Sequence, residues 1–335
     1  MMPRISRNAL ASYVHGFRPA FLLLTGCLCF FLSPVSPAGA LEPMRIAIYP
    51  NKPIKIIVYT AAGGTVDRET RVIAPFLSKQ LNTPVTIENV PGADGVIAFN
   101  RFYKEKPDGY TLLSYSLLSA IVPELTRQTN YFTREFTAIA SWNVKNWLLS
   151  GHPEGFKSFD EFLNAGKQRK LSLAGMGASD LQAKILEDGL GIKFNYVGYS
   201  SGQEAVAAAA GKHVDATLNF TLAQLPLIRG GKLKPLAIVA QTPDPFLPGV
   251  PTLKELGHAS IPCLTSRGGF AAPPKTPPEI VSILEKAIRT VADDPELLKM
   301  AEKMGTSLDF QSSSDQNKEI SLYYDVANRY RQAIK

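Results

Sequence analysis

Ile54-Lys55-Ile56-Ile57-Val58-Tyr59-Thr60 runs straight into Ala61-Ala62-Gly63-Gly64-Thr65-Val66-Asp67. The first seven residues are apolar and β-branched enough for a buried strand. Two glycines then break the chain, and an amphipathic stretch from Val66 to Leu81 follows. The same rhythm returns with strands at Pro84–Glu88 and Tyr110–Tyr115 and a helix around Val96–Tyr103. It returns again with strands at Leu171–Ala174, Phe194–Val197, Val214–Leu218 and Leu233–Val239. Helices are expected near Ser179–Gly189, Gly202–Ala210 and Phe220–Arg229. Alternation of this kind predicts α/β lobes with mixed, largely parallel sheets. The C-terminal stretch, Pro278–Val291, Pro295–Met304 and Asn317–Ala333, reads as wholly helical, with Pro277-Pro278 and Asp294-Pro295 as start signals. At 335 residues, two lobes are the natural expectation.

Open α/β sheets bind ligands at the carboxyl ends of their strands, so the turns there carry the functional reading. Gly63, Gly64, Thr65 and Asp67 form the first. Free N–H groups at a helix start favour anions, whereas a tight turn capped by Thr65 or Asp67 is the structural alternative. The second, Val90-Pro91-Gly92-Ala93-Asp94-Gly95, has the same context. The third, Gly175-Met176-Gly177-Ala178-Ser179-Asp180, begins like a dinucleotide fingerprint but places Asp180 where the third glycine should stand, which argues against a nicotinamide cofactor. The fourth, Gly198-Tyr199-Ser200-Ser201-Gly202, matches G-x-S-x-G. A secreted serine hydrolase would use Ser200 with Asp215 or Asp244 and His258, although no HGGG-like oxyanion segment precedes it. The same hydroxyls and N–H groups could instead line an anion site.

Composition narrows the classes. Apolar residues make up 45% and charged residues 19%, with a net charge of +7. Three of the 36 basic residues, Arg4, Arg7 and Arg18, stand in the first forty positions, which hold no acid; 33 Lys and Arg then face 29 Asp and Glu. That mild, dispersed excess speaks against nucleic-acid binding. Residues 1–40 read as a signal peptide: a basic start, the apolar run Ala20–Leu32, and Ala38-Gly39-Ala40 as an A-x-A cleavage site. The run is short for a bilayer, which needs about 20 residues. Retention as a signal anchor and acylation at Cys27, through Leu24-Thr25-Gly26-Cys27, are the alternatives to release. Cleavage would leave Cys263 as the last cysteine, a small buried hydrophobe with no disulfide partner. The scattered histidines (His15, His152, His213, His258) predict no metal site.

With these turns in place, about 290 residues resemble the Bug/TctC family, the substrate-binding proteins of tripartite tricarboxylate transporters. The resemblance rests on Tyr49-Pro50-Asn51-Lys52-Pro53-Ile54, Gly63-Gly64-Thr65-Val66-Asp67 and Glu88-Asn89-Val90-Pro91-Gly92-Ala93-Asp94-Gly95. It continues through Pro107-Asp108-Gly109-Tyr110-Thr111-Leu112-Leu113, Val214-Asp215 and Gly230-Gly231-Lys232-Leu233-Lys234-Pro235-Leu236-Ala237. Val250-Pro251-Thr252 and Gly269-Phe270-Ala271-Ala272-Pro273 complete it. The resemblance implies a type II periplasmic binding protein, a venus flytrap with a hinge: residues 45–146 plus 267–335 in one lobe, 147–266 in the other. It implies no catalysis and no cofactor. It implies a monomer in the periplasm that takes a small carboxylate and meets membrane transporter subunits, or one repurposed as a ligand-sensing co-receptor.

The same resemblance nominates Gly63, Gly64, Thr65 and Asp67, with Ala93, Asp94 and Gly95 opposite, as the carboxylate clamp. From the second lobe it nominates Gly177, Ala178, Ser179, Ser200, Ser201 and Asn219. Three departures stand out: Tyr59-Thr60-Ala61-Ala62 where Pro-Phe-x-Pro is common, Asp94 where many members have glycine, and Asn219 where an aspartate is frequent. The last argues against an amino-acid ligand. Tyr59, Trp142, Trp147 and Tyr199 could stack on an aromatic acid or belong to the core.

Overall fold

Residues 49–334 are described in the computed structural model, so the predicted leader, its cleavage site and Cys27 lie outside the described residues. The chain begins β1 (Ile54–Val58), α1 (Thr65–Gln80), β2 (Val85–Asn89), α2 (Val96–Phe102), β3 (Thr111–Ser116) and α3 (Leu117–Thr126). β4 (Thr137–Lys145) and β5 (Trp147–Gly151) are separated by Asn146 alone. Then come α4 (Phe159–Gln168), β6 (Leu171–Gly175), α5 (Ser179–Leu190), β7 (Phe194–Gly198), α6 (Gly202–Ala210), β8 (Ala216–Phe220), α7 (Thr221–Arg229) and β9 (Lys234–Val239). β10 (Ser266–Ala272), α8 (Pro278–Ala292), α9 (Pro295–Met304), β11 (Ser307–Ser312) and α10 (Ser313–Tyr330) follow.

These strands form two sheets, ordered β11-β4-β10-β3-β1-β2 and β7-β6-β8-β5-β9. Each holds a three-stranded parallel unit, β2-β1-β3 and β7-β6-β8, wound the same way. β4, β10 and β11 join the first sheet antiparallel, as β5 and β9 join the second. The architecture is therefore α/β and mixed, with a smaller parallel share than the strand–helix rhythm suggested. The cause is the crossing: the chain passes from β4 through Asn146 into β5 and comes back as β10, and such through-strands cannot all run parallel to their neighbours.

The C-terminal stretch is not wholly helical. β11 sits between α9 and α10, and its SLDFQS sequence alternates Leu308 and Phe310, which pack on the core, with polar residues, a strand pattern that the helical reading passed over. Pairing with β4 decides it. Elsewhere the reasons are local. In β1, Ile54, Ile56, Ile57 and Val58 are fully buried, each worth about 1.5–3 kcal/mol in burial. Ser158, Ser201, Asp294 and Ser312 accept first-turn amides and so start α4, α6, α9 and α10.

The crossing itself is polar. Lys145, the last residue of β4, donates to both carboxylate oxygens of Glu69 on α1, at 2.8 and 3.1 Å, and both side chains are 3% exposed. Its ammonium lies 5.9 Å from the ring centroid of Phe220, at the end of β8 in the second sheet. Phe220 packs on Trp147, ring centroids 4.1 Å apart, and the Trp147 indole N–H donates to the Leu264 carbonyl at 2.6 Å, tying the outgoing crossing to the returning one. Removing one partner of such a pair leaves a buried charge uncompensated. Glu69→Ala should cost about 3–5 kcal/mol, read as a lower urea midpoint, and Glu69→Leu with Lys145→Leu should recover much of that loss.

Candidate functional site

Both parallel units run in the order that places a switch point between their first and third strands. The turns after β1 and β3 therefore flank one such point, and the turns after β6 and β8 the other. Glu69, Lys145 and Phe220 are in contact across the crossing, which brings the carboxyl end of the first sheet near that of the second.

The first turn is held from within. Asp67 is 1% exposed and accepts from the Gly63 amide at 2.7 Å, from Arg71 Nε at 3.0 Å and from Asn89 Nδ2 at 2.8 Å. Burial alone would raise its pKa, yet the hydrogen bonds from Arg71, Gly63 and Asn89 hold it below the ordinary carboxylate value. The Gly64 amide donates to the Ala61 carbonyl at 3.0 Å. A side chain at Gly64 would meet Thr60 and the Ala61 carbonyl at 3.0 Å, so the close turn requires glycine here. Asp67 thus shapes the loop and does not present its carboxylate outward. What remains at the surface is the exposed Gly63 and the start of α1 at half-buried Thr65, where no side chain caps the helix. Uncapped first-turn amides attract anions.

The second turn is strained. Gly92, Ala93, Asp94 and Gly95 have φ of 127°, 48°, 51° and 95°, and both Ala93 and Asp94 are non-glycine residues in the left-handed region. Each such residue costs on the order of 1–3 kcal/mol and persists only where its surroundings over-determine it. Arg127 pairs with the exposed Asp94 carboxylate, and the Gly95 amide donates to the Gly92 carbonyl at 3.0 Å. A side chain at Gly95 would strike Phe99 and Tyr59 within 2.9 Å. Tyr59 therefore underlies this turn; its hydroxyl donates to Ser119 Oγ at 2.9 Å, and burial pushes it up to about 12.

In the second sheet, Gly177 is exposed and Ala178 half-buried, while Ser179 is 1% exposed. Ser179 Oγ accepts the Met176 amide at 2.8 Å and lies 2.7 Å from the Tyr196 hydroxyl, closing the turn on itself. Ser200 is exposed and donates to Glu204 at 2.7 Å; Ser201 Oγ accepts the Glu204 amide at 3.2 Å as the cap of α6. Asn219 is 5% exposed and fully engaged with backbone, donating to Gly202 O at 3.1 Å and accepting the Phe220 amide at 2.8 Å. Its role is to fix the start of α6, so the absent aspartate at this position is replaced by a scaffold amide.

The structure places Asp215 away from Ser200. Asp215 precedes β8 and binds the amide and hydroxyl of Ser172 at the start of β6, at 2.7 and 2.8 Å. Ser200 follows the far end of β7, and a five-residue strand rises roughly 15 Å. Asp244 is engaged by Thr221 and Asn146, and the His258 ring packs against Phe159. Trp142 and Trp147 are 1% and 2% exposed and are core residues, and Cys263 is half-buried with its thiol pushed up to about 11 by burial. Three groups near the turns escaped the sequence reading: Glu69, Lys145 and Ser119, whose partners stand 60 to 76 positions away.

The carboxylates set an acid limit. Burial opposes ionisation of Asp215, but Arg169 and Ser172 outweigh it and hold its pKa at about 2 instead of 3.8. A depressed carboxylate contributes stability that is complete above the unfolded pKa and is lost as pH falls through the folded one. Asp215→Asn should flatten the fall in melting temperature between pH 4 and 2, and Asp67→Asn should act in the same direction.

Against known proteins, residues 70–335 match the family model described as "Tripartite tricarboxylate transporter family receptor". Protein BugT of Bordetella pertussis is 32% identical over 265 residues, covering 76% of this chain and 80% of BugT. A solved structure described as a periplasmic transporter superposes with a TM-score of 0.74 at 26% identity, covering 86% of this chain and 99% of the other. MatC from Rhodopseudomonas palustris, solved with bound malate, gives a TM-score of 0.71 at 26% identity, covering 83% of this chain and 99% of MatC. These neighbours share the two-lobed, hinged α/β fold of periplasmic binding proteins. No helix among the described residues is long and apolar enough to cross a membrane. The chain belongs to the TctC, or Bug, family of solute-binding proteins.

Proposed function

We propose that this protein captures a small carboxylate, a di- or tricarboxylate or an aromatic acid, between its lobes and presents it to a tripartite tricarboxylate-type transporter. In this reading it works as a periplasmic monomer, released by cleavage near Ala40, with residues 45–146 plus 267–335 and residues 147–266 as the two moving bodies. The observation that carries it is the strained turn Gly92–Gly95 beside the uncapped start of α1. Strain of this kind is kept where a backbone must point its donors at something. Gly63, Gly64, Thr65, Ala93, Asp94 and Gly95 would form the first-lobe wall, and Gly177, Ala178, Ser200 and Ser201 the facing one. Asp67, Ser179 and Asn219 would hold the turns in shape from behind. The bound malate of MatC supports the carboxylate class.

Binding would rest on converging neutral donors. A helix terminus contributes ~0.3–1 kcal/mol, and micromolar affinity needs about 8 kcal/mol, so several amides must act together while closure excludes water. Titration calorimetry with malate, succinate, glutarate, adipate, citrate and benzoate should find at least one ligand at micromolar affinity. A folded protein that binds none of them would refute the reading. Ser200→Ala should keep affinity within about fivefold, since its hydroxyl is committed to Glu204.

A further inference from the structure

The inner face of α10 is polar where it covers the hinge strands. Tyr323 Oη lies 2.6 Å from the carbonyl of Thr265, in the chain returning from the second sheet, and 2.7 Å from Glu319 Oε1 one turn back on the same helix. Thr265 Oγ1 is a third neighbour at 3.0 Å. A phenol has one hydrogen to give, and two strong acceptors stand within 2.7 Å of it. One further proton resolves the conflict. A neutral Glu319 donates through Oε1 to the Tyr323 oxygen, and Tyr323 then donates to the Thr265 carbonyl.

The surroundings accommodate that proton. Glu319 is 12% exposed, and burial, with the Asp309 charge, raises its pKa above the usual carboxylate value, against the hydrogen bonds from Tyr323 and Thr265 and the charge of Arg267. Arg267, on β10, is 3.6 Å from Oε1 but 2.6 Å from Asp309 on β11, which takes up most of its charge. Gln311 on β11, with its amide nitrogen turned toward them, donates to Glu319 Oε2 and to Ser141 Oγ at 3.1 Å each. Tyr115 on β3 adds a buried hydroxyl without a hydrogen-bond partner. The carbonyl one residue before Thr265, that of Leu264, receives the Trp147 indole N–H. Anything that moves the returning crossing is therefore felt at Trp147.

We propose that Glu319 and Tyr323 form a proton-dependent hinge lock, in which protonated Glu319 completes a donor chain to Thr265 and holds the returning crossing against α10. The lock rests on the two-lobed reading but not on the identity of the ligand. Its sign follows from the raised pKa: the locked form binds the proton more tightly than a free carboxylate does, so it gains on acidification and weakens as pH rises through the folded value.

The test is a ligand-free pH titration from 4 to 8, following the ¹⁵N–¹H correlation of the Trp147 indole, assigned by its loss in Trp147→Phe. The wild type should titrate with a midpoint above the ordinary range of glutamate. Glu319→Gln should abolish the titration and hold the resonance at the acid position, and Tyr323→Phe should abolish it at the alkaline one. A wild-type resonance that does not titrate, or a titration that survives in either folded variant, overturns the lock. Should Glu319→Gln fail to fold, the wild-type and Tyr323→Phe titrations decide alone. Because no carboxylate is present, failure of the binding reading leaves this result intact, and the reverse holds too.

Discussion

A buried ion pair at the point where the chain changes sheets organises this molecule. Lys145 is the last residue of its strand, and its ammonium is neutralised by Glu69 on the first helix and covered by Phe220 from the second sheet. A lysine so deeply buried is tolerable only with its carboxylate in place. That requirement fixes α1 against β4, and with α1 the glycine turn that precedes it. It also holds the end of β8 close by. The turns at the carboxyl ends of the two sheets are thus registered to each other through one charge pair.

Around that pair the polar groups divide into those that shape and those that face outward. Asp67, Ser179 and Asn219 are buried, Asp67 held by the Gly63 amide, Arg71 and Asn89, and the other two by backbone groups and the Tyr196 hydroxyl. Gly63, Ala93, Asp94, Gly177 and Ser200 are exposed. Of the outward-facing positions only Asp94 carries a charge, and it is paired with Arg127; the others offer backbone amides and one hydroxyl.

The positions of the turns were legible in the sequence because Gly63-Gly64, Gly92 and Gly95, and Gly175 and Gly177 each follow an apolar run. Side-chain roles were less so. Asp67 and Asn219 look like ligand contacts when read by position, but their partners, Asn89 and Gly202, come from other elements of the fold. The Lys145–Glu69 pair spans 76 positions and has no local signature. β11 is a different case: Leu308 and Phe310 alternate with polar residues, but so short a pattern between two helices is settled by pairing with β4, some 165 residues earlier in the chain. G-x-S-x-G was the reverse case, a strong local pattern around Ser200, whose hydroxyl meets only Glu204 of the helix that follows it while Asp215 is held at the opposite end of the sheet by Ser172.

The order of strands has a consequence for how the chain is made. Among the described residues β4 pairs with β10 and β11, and both are synthesised after the whole second sheet. Ser116 and Ser266, joined at 2.7 Å, are 150 positions apart. Emerging from a ribosome, the first sheet would have just its three parallel strands, with β4 unpaired, until β10 appeared, and its last strand would be missing until residue 312. Closure over such long loops is slow. The nascent polypeptide would stay unfinished at its leading end for most of its synthesis.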